Sequence, residues 1–99
     1  MNPRDGFTLA YRATYLAMTD QKDEALVSLQ SAVSLSPKDP DVRFRGALVY
    51  NHLGDTDQTL AWLQQALSLG VVAASVRNTP DFDHLREDAR LQQLLKGHR

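Results

Sequence analysis

GDTDQTLAWLQQALSL, residues 54–69, decides the fold, because the chain carries the same pattern twice. An offset of 34 (54 − 20) brings it onto residues 20–35, DQKDEALVSLQSAVSL. That offset pairs Pro3 with Pro37, Asp5 with Asp39, Ala13 with Ala47, Asp23 with Asp57 and Leu26 with Leu60. It also pairs Leu29 with Leu63, Gln30 with Gln64, Ala32 with Ala66, Ser34 with Ser68 and Leu35 with Leu69. Ten identities are several times what composition alone supplies. Self-similarity at a fixed period near 34 marks a helical repeat array.

The 99 residues make one domain, near the lower limit of what buries a useful core. A net charge of −1 gives no electrostatic reason to bind nucleic acid or an anionic membrane. Cysteine is absent, which removes disulfides, thiolate nucleophiles and thiolate metal sites. No segment approaches the eighteen or so apolar residues of a membrane span. MNPRDGF has no apolar core of a signal peptide, so a cytoplasmic location is expected. Residues 2–6, NPRDG, resemble the inter-repeat loop SPKDP at 36–40, so the chain reads as beginning at the tail of a repeat from a longer array or multidomain protein, the alternative being a short protein with a loop-like start.

Taken in order, Asp5 is expected to cap a helix running to about Thr19. Leu9, Ala13 and Leu16 form its inner stripe, with Tyr11 and Tyr15 as a second apolar flank. Asp20 is expected to cap the second helix, with Asp23 as its capping-box partner. Ala25, Leu26, Leu29, Ala32 and Val33 form that helix's inner face, and Ser36-Pro37 ends it. Asp39-Pro40-Asp41 opens the third helix with a cap, a proline at the first position and a carboxylate at the positive end of the dipole. Phe44, Ala47, Leu48, Val49 and Tyr50 carry it to the left-handed stop at Gly54. Asp55 or Thr56 caps the fourth helix, with Gln58 as partner; Leu60, Leu63, Ala66 and Leu67 are its stripe and Gly70 its end. The period then breaks. A short helix within 71–76, a new start at Thr79-Pro80-Asp81 with Phe82 and Leu85, and a last helix capped by Asp88 with Leu91, Leu94 and Leu95 predict a segment that closes the end of the stack.

These residues resemble the tetratricopeptide repeat family. The matching positions are the small residues Ala13, Ala47 and Ala25 where paired helices touch, Tyr50, the turn glycine Gly54, the late small residues Ala32 and Ala66, and the closing Pro37. The resemblance covers residues 2–70, with repeats over 5–37 and 39–70 and a cap over 71–97. It departs at Asp20, which stands at the turn glycine, at Thr59 opposite Ala25, and at Val71 in place of the closing proline. It implies an all-α fold, a right-handed superhelix of antiparallel helix pairs. The tail NTPDFDHLREDARLQQLL, residues 78–95, is loosely similar to the ending of such regions in bacterial signalling proteins (kinases, cyclases, transcription regulators).

Members of that family bind extended peptides or partner surfaces in a groove lined by the first helix of each unit. Carried over by position, the lining is Phe7, Ala10, Tyr11, Thr14, Ala17 and Met18, then Asp41, Phe44, Arg45, Leu48, Asn51 and His52. Arg45 between Phe44 and Leu48 suits an acidic, apolar peptide, since a guanidinium forks a carboxylate. Ala10 and Thr14 stand where chaperone-binding members carry a lysine and an asparagine, which argues against that clamp.

No catalytic group emerges. Ser28, Ser31, Ser34 and Ser68 lie on helices without a nearby histidine, and the glycines are scattered singly. Asp81, Asp83, His84, Glu87 and Asp88 read as helix-start carboxylates rather than metal ligands, and His52, His84 and His98 lack zinc spacing. The cations of the tail, Arg86, Arg90, Lys96 and Arg99, interleave with acids and read as a solvated face. Trp62 is expected to be half-buried near Val72 and Phe82, the alternative being an exposed anchor for a partner. The expectation is a non-catalytic protein-interaction module with no cofactor. The alternatives are homodimerisation through Phe7, Tyr11, Tyr15 and Leu16 on an uncovered first helix, or a regulatory segment of a larger signalling protein.

Overall fold

The structure, a computed structural model, describes residues 5–97. It is all-helical, and the described residues contain no strand. Four long helices, α1 (Asp5–Met18), α2 (Lys22–Leu35), α3 (Pro40–His52) and α4 (Thr56–Leu69), are followed by α5 (Ala73–Arg77), a 3-10 helix (Pro80–Leu85) and α6 (Ala89–Lys96). None of these helices is long and apolar enough to cross a membrane. α1 packs on α2, α3 packs on α4, and α1 also lies along α3. Ala10 clusters with Ala32, while Ala13, Leu16 and Ala17 cluster with Ala25 and Leu29, so the first pair runs antiparallel. In the second pair Arg43 reaches Gln65 and Gly46 meets Trp62, which gives the same reversal.

The period of 34 is physical as well as textual. Ala13 and Ala47 are both fully buried, as are Ala32 and Ala66, Leu29 and Leu63, and Ala25 and Thr59. Small residues at these crossings let the helix backbones approach, and leucine fills what remains. Both hairpin turns carry one residue in the left-handed region, Asp20 at φ 62° and Gly54 at φ 80°. That explains why the second helix is not capped as expected. Asp20 ends α1 in the left-handed conformation and cannot also adopt the extended backbone of an N-cap. Gln21 takes the cap position without a side-chain hydrogen bond. Asp39 caps α3 by accepting from Asp41 N at 2.9 Å, with Pro40 at the start. Asp55, not Thr56, caps α4 by accepting from Gln58 N at 3.1 Å. α4 closes on Gly70 at φ 123°. At the other end, Asp5 and Gly6 are already helical rather than loop, and the cap expected at Asp5 lies outside the described residues, as do Asn2, Pro3, His98 and Arg99.

The buried faces of α2, α4 and α6 follow the expected stripes. α1 differs. Its core face is Ala10, Ala13, Leu16 and Ala17, whereas Tyr11 and Tyr15 are exposed rather than a second packed flank. The segment after α4 forms one core with the second pair, in which Val76, Phe82, Leu85, Leu91 and Leu95 join Leu48, Leu60, Leu63 and Leu67. Asp88 caps α6 by accepting from Arg90 N at 2.8 Å. Arg90 then ties that helix to α4 through Asp57 Oδ1 at 2.6 Å and pairs with Asp88 Oδ2 at 3.2 Å. Hydrogen bonding from Arg90 holds the Asp88 carboxyl below its usual value, and the two carboxylates raise Arg90.

Candidate interaction groove

α1 and α3 present one shared face, and the structure divides it in two. At the C-terminal end of α3 the face is covered by the chain itself. Asn51 Nδ2 donates to Asp81 O at 2.9 Å, and its Oδ1 lies 2.7 Å from His84 Nε2. Because Asn51 Oδ1 can only accept, His84 must carry its proton on Nε2 in this arrangement. His52 Nε2 lies 3.3 Å from Asp81 Oδ2. Phe44 meets Phe82 edge to face, with centroids 5.9 Å apart. The 3-10 helix thus sits on Phe44, Asn51 and His52, three of the expected lining residues. Leu48 is buried in the same core.

At the N-terminal end the face stays open. A trough of about 480 Å³ lies between Phe7 on one side and Phe44, Val71 and Val72 on the other, with Asp41 and Arg45 in its wall. Arg45 lies over Tyr11 at 4.5 Å and over Phe7 at 6.0 Å from the ring centroids. Among the described residues no carboxylate comes within ion-pair distance of it. A guanidinium stacked on two rings keeps its in-plane donors free for a carboxylate. Tyr11 and Met18 are more than half exposed along the edge of α1. Thr14 is not available: it is buried, and its hydroxyl donates to Ala10 O at 3.0 Å. Ala10 and Ala17 are likewise buried. Of the eight residues named as partner-contacting, Tyr11, Met18 and Arg45 remain open; Thr14 and Leu48 are core, Asn51 and His52 hold the cap, and Phe44 does so on one side while lining the trough on the other.

Trp62 is half-buried as expected, against the core that includes Phe82 and also against α3. It lies against Gly46 and Tyr50 of α3, with Arg43 over its ring at 5.2 Å. The sequence signal was Gly46, a glycine inside a helix with no turn to make, which marks a close approach of something large. Val71, Val72 and Ser75, which complete the trough, carried no such signal. Compared with protein-family models, curated proteins and solved structures, the chain matches none.

Proposed function

We propose that this chain is a non-catalytic interaction module: two repeats of tetratricopeptide type in a right-handed superhelix, closed by a C-terminal cap, that bind a peptide or partner protein surface. The observation that carries the reading is Arg45, stacked on Tyr11 and Phe7 at the rim of an open apolar trough. A short acidic segment with one or two aromatic or aliphatic side chains fits it: the apolar groups enter between Phe7 and Phe44, and a carboxylate meets Arg45. So short a trough buries little area, and binding is modest.

The test is a peptide-display selection, followed by titration of the enriched peptides against wild type, Arg45→Glu and Tyr11→Ala. Enrichment of acidic, apolar peptides that bind Arg45→Glu at least about tenfold more weakly supports the reading, a factor worth ~1.4 kcal/mol. Peptides that bind Arg45→Glu as tightly as wild type refute it. A second reading, self-association, is favoured by the exposure of Tyr11 (53 %), Tyr15 (65 %) and Met18 (61 %) on one helix. Leu16, expected in that patch, is core instead. A clean monomer in sedimentation equilibrium at tens of micromolar removes the second reading.

A further inference from the structure

The cap holds a cleft of its own. Between α5, the 3-10 helix and α6 lies a cavity of about 350 Å³, sharing no lining residue with the trough between α1 and α3. Its floor is Val76, Phe82, Leu91 and Leu95, all buried core side chains. Among the described residues its lining holds three cations, Arg77, Arg86 and Lys96, and no carboxylate. In a chain of net charge −1, such a clustering is not inherited from composition.

The three cations are not equivalent. Arg86 is committed: its Nε and Nη2 both lie 2.9 Å from Asp83 Oδ1, and Nη2 also donates to Arg77 O at 3.3 Å. Gln92 Nε2 donates to Arg86 O at 3.0 Å, so the nearby carbonyls are already served. Arg77 and Lys96 have no carboxylate within ion-pair distance among the described residues. Each stands in the last turn of its helix, where a cation favours the negative end of the dipole. That effect accounts for each cation on its own helix. It does not account for both lining one cavity with an apolar floor, which is the arrangement of a site for an amphiphilic anion.

We propose that this cleft binds a small amphiphilic carboxylate, its hydrocarbon tail on the Phe82–Leu95 floor and its carboxylate between Arg77 and Lys96. The volume equals that of about a dozen liquid waters at roughly 30 Å³ each, room for a medium-chain fatty acid or an aryl-alkanoate. Lys96 contributes a mobile point charge and Arg77 a planar fork, and among the described residues the one acid at the rim, Asp83, is paired with Arg86 rather than with either of them.

The test is methyl NMR on the full chain, titrating octanoate and, separately, octylamine and octanol. The expected result is saturable shifts of the Val76, Leu91 and Leu95 methyls with octanoate, at least about tenfold weaker binding of the amine and the alcohol, and loss of that preference in Arg77→Gln with Lys96→Gln. Both substituted side chains are exposed, and unchanged circular dichroism verifies that the double variant folds. Three results overturn the proposal: no saturable shift in the millimolar range, octylamine binding as tightly as octanoate, or octanoate binding that the double variant leaves unchanged. None of them bears on the trough around Arg45, where peptide titration is read separately.

Discussion

Gly46→Ala is the sharpest test of how the second hairpin packs. A Cβ built at Gly46 falls 2.6 Å from Trp62 Cζ3 and 3.0 Å from Cδ2, and closer still to Cε3. A real methyl group cannot occupy that space, so the indole or the helix must move. The indole is not a flexible chain end. It is held between α3 and α4, with Tyr50 at 5.7 Å and Arg43 at 5.2 Å on its ring. Alanine in a helix interior gains about 0.5–1 kcal/mol over glycine. Overpacking costs typically 1–3 kcal/mol, and displacing the ring weakens the Arg43 contact by a further ~0.5–1 kcal/mol. The alanine gain and the lost Arg43 contact offset each other, so the net expectation is destabilisation by about 1–3 kcal/mol, or roughly 4–24 °C in Tm for a domain of this size. Urea and thermal unfolding followed by circular dichroism read it directly. A double-mutant cycle isolates the cause: in a Trp62→Leu background the same Gly46→Ala change should become neutral or stabilising, because the ring it collides with is gone. If Gly46→Ala raises the stability of the otherwise wild-type chain, the close approach of Trp62 to α3 is wrong.

Three further outcomes are expected. Asp20→Gly and Gly54→Ala should have opposite signs in chemical denaturation. Asp20→Gly relieves a left-handed residue and gains about 0.5–1 kcal/mol, while Gly54→Ala, whose added Cβ meets nothing within 4 Å, loses about 1 kcal/mol through backbone conformation alone; equal signs would remove the turn argument. Phe82→Ala should cost about 3–5 kcal/mol, because the ring is only 2 % exposed and packs on Phe44; a loss under ~1 kcal/mol would mean that the cap is not part of the core. Asp88→Asn should leave α6 capped but remove the charge that Arg90 holds. The folded carboxyl lies below its unfolded value, so its contribution is present above the usual carboxylate range and fades as pH falls through the folded pKa. The stability gap between wild type and Asp88→Asn should therefore be largest near neutrality and close in acid, and a gap that widens in acid would refute the pairing.

Much of the groove was open to local reading and much was not. Arg45 and Tyr11 share a face because their helical positions repeat across the period, and the structure stacks them. Thr14, Ala10 and Ala17 match groove positions as well, yet all three are buried, Ala10 and Ala17 in the clusters that join α1 to both α2 and α3. Asn51 and His52 read as open groove residues because nothing near them in sequence fills their hydrogen bonds. Their partners, Asp81 and His84, come from some thirty residues further along the chain.

By itself the sequence determined the helices, their order and most of their ends. Those depend on interactions within a few residues: the caps at Asp39, Asp55 and Asp88, the stops at Gly54 and Gly70, and the spacing of apolar side chains. The repetition of that spacing at 34 also determined that two hairpins are built alike. Only the tertiary structure decided which faces remain uncovered. The seating of the 3-10 helix on α3, the pressing of Trp62 on Gly46 and the stacking of Arg45 on Tyr11 are contacts between separate elements of the chain. Periodicity states that a helix has an apolar face. It carries no term for which neighbour comes to cover it, and which surface this protein leaves uncovered is set by that second choice.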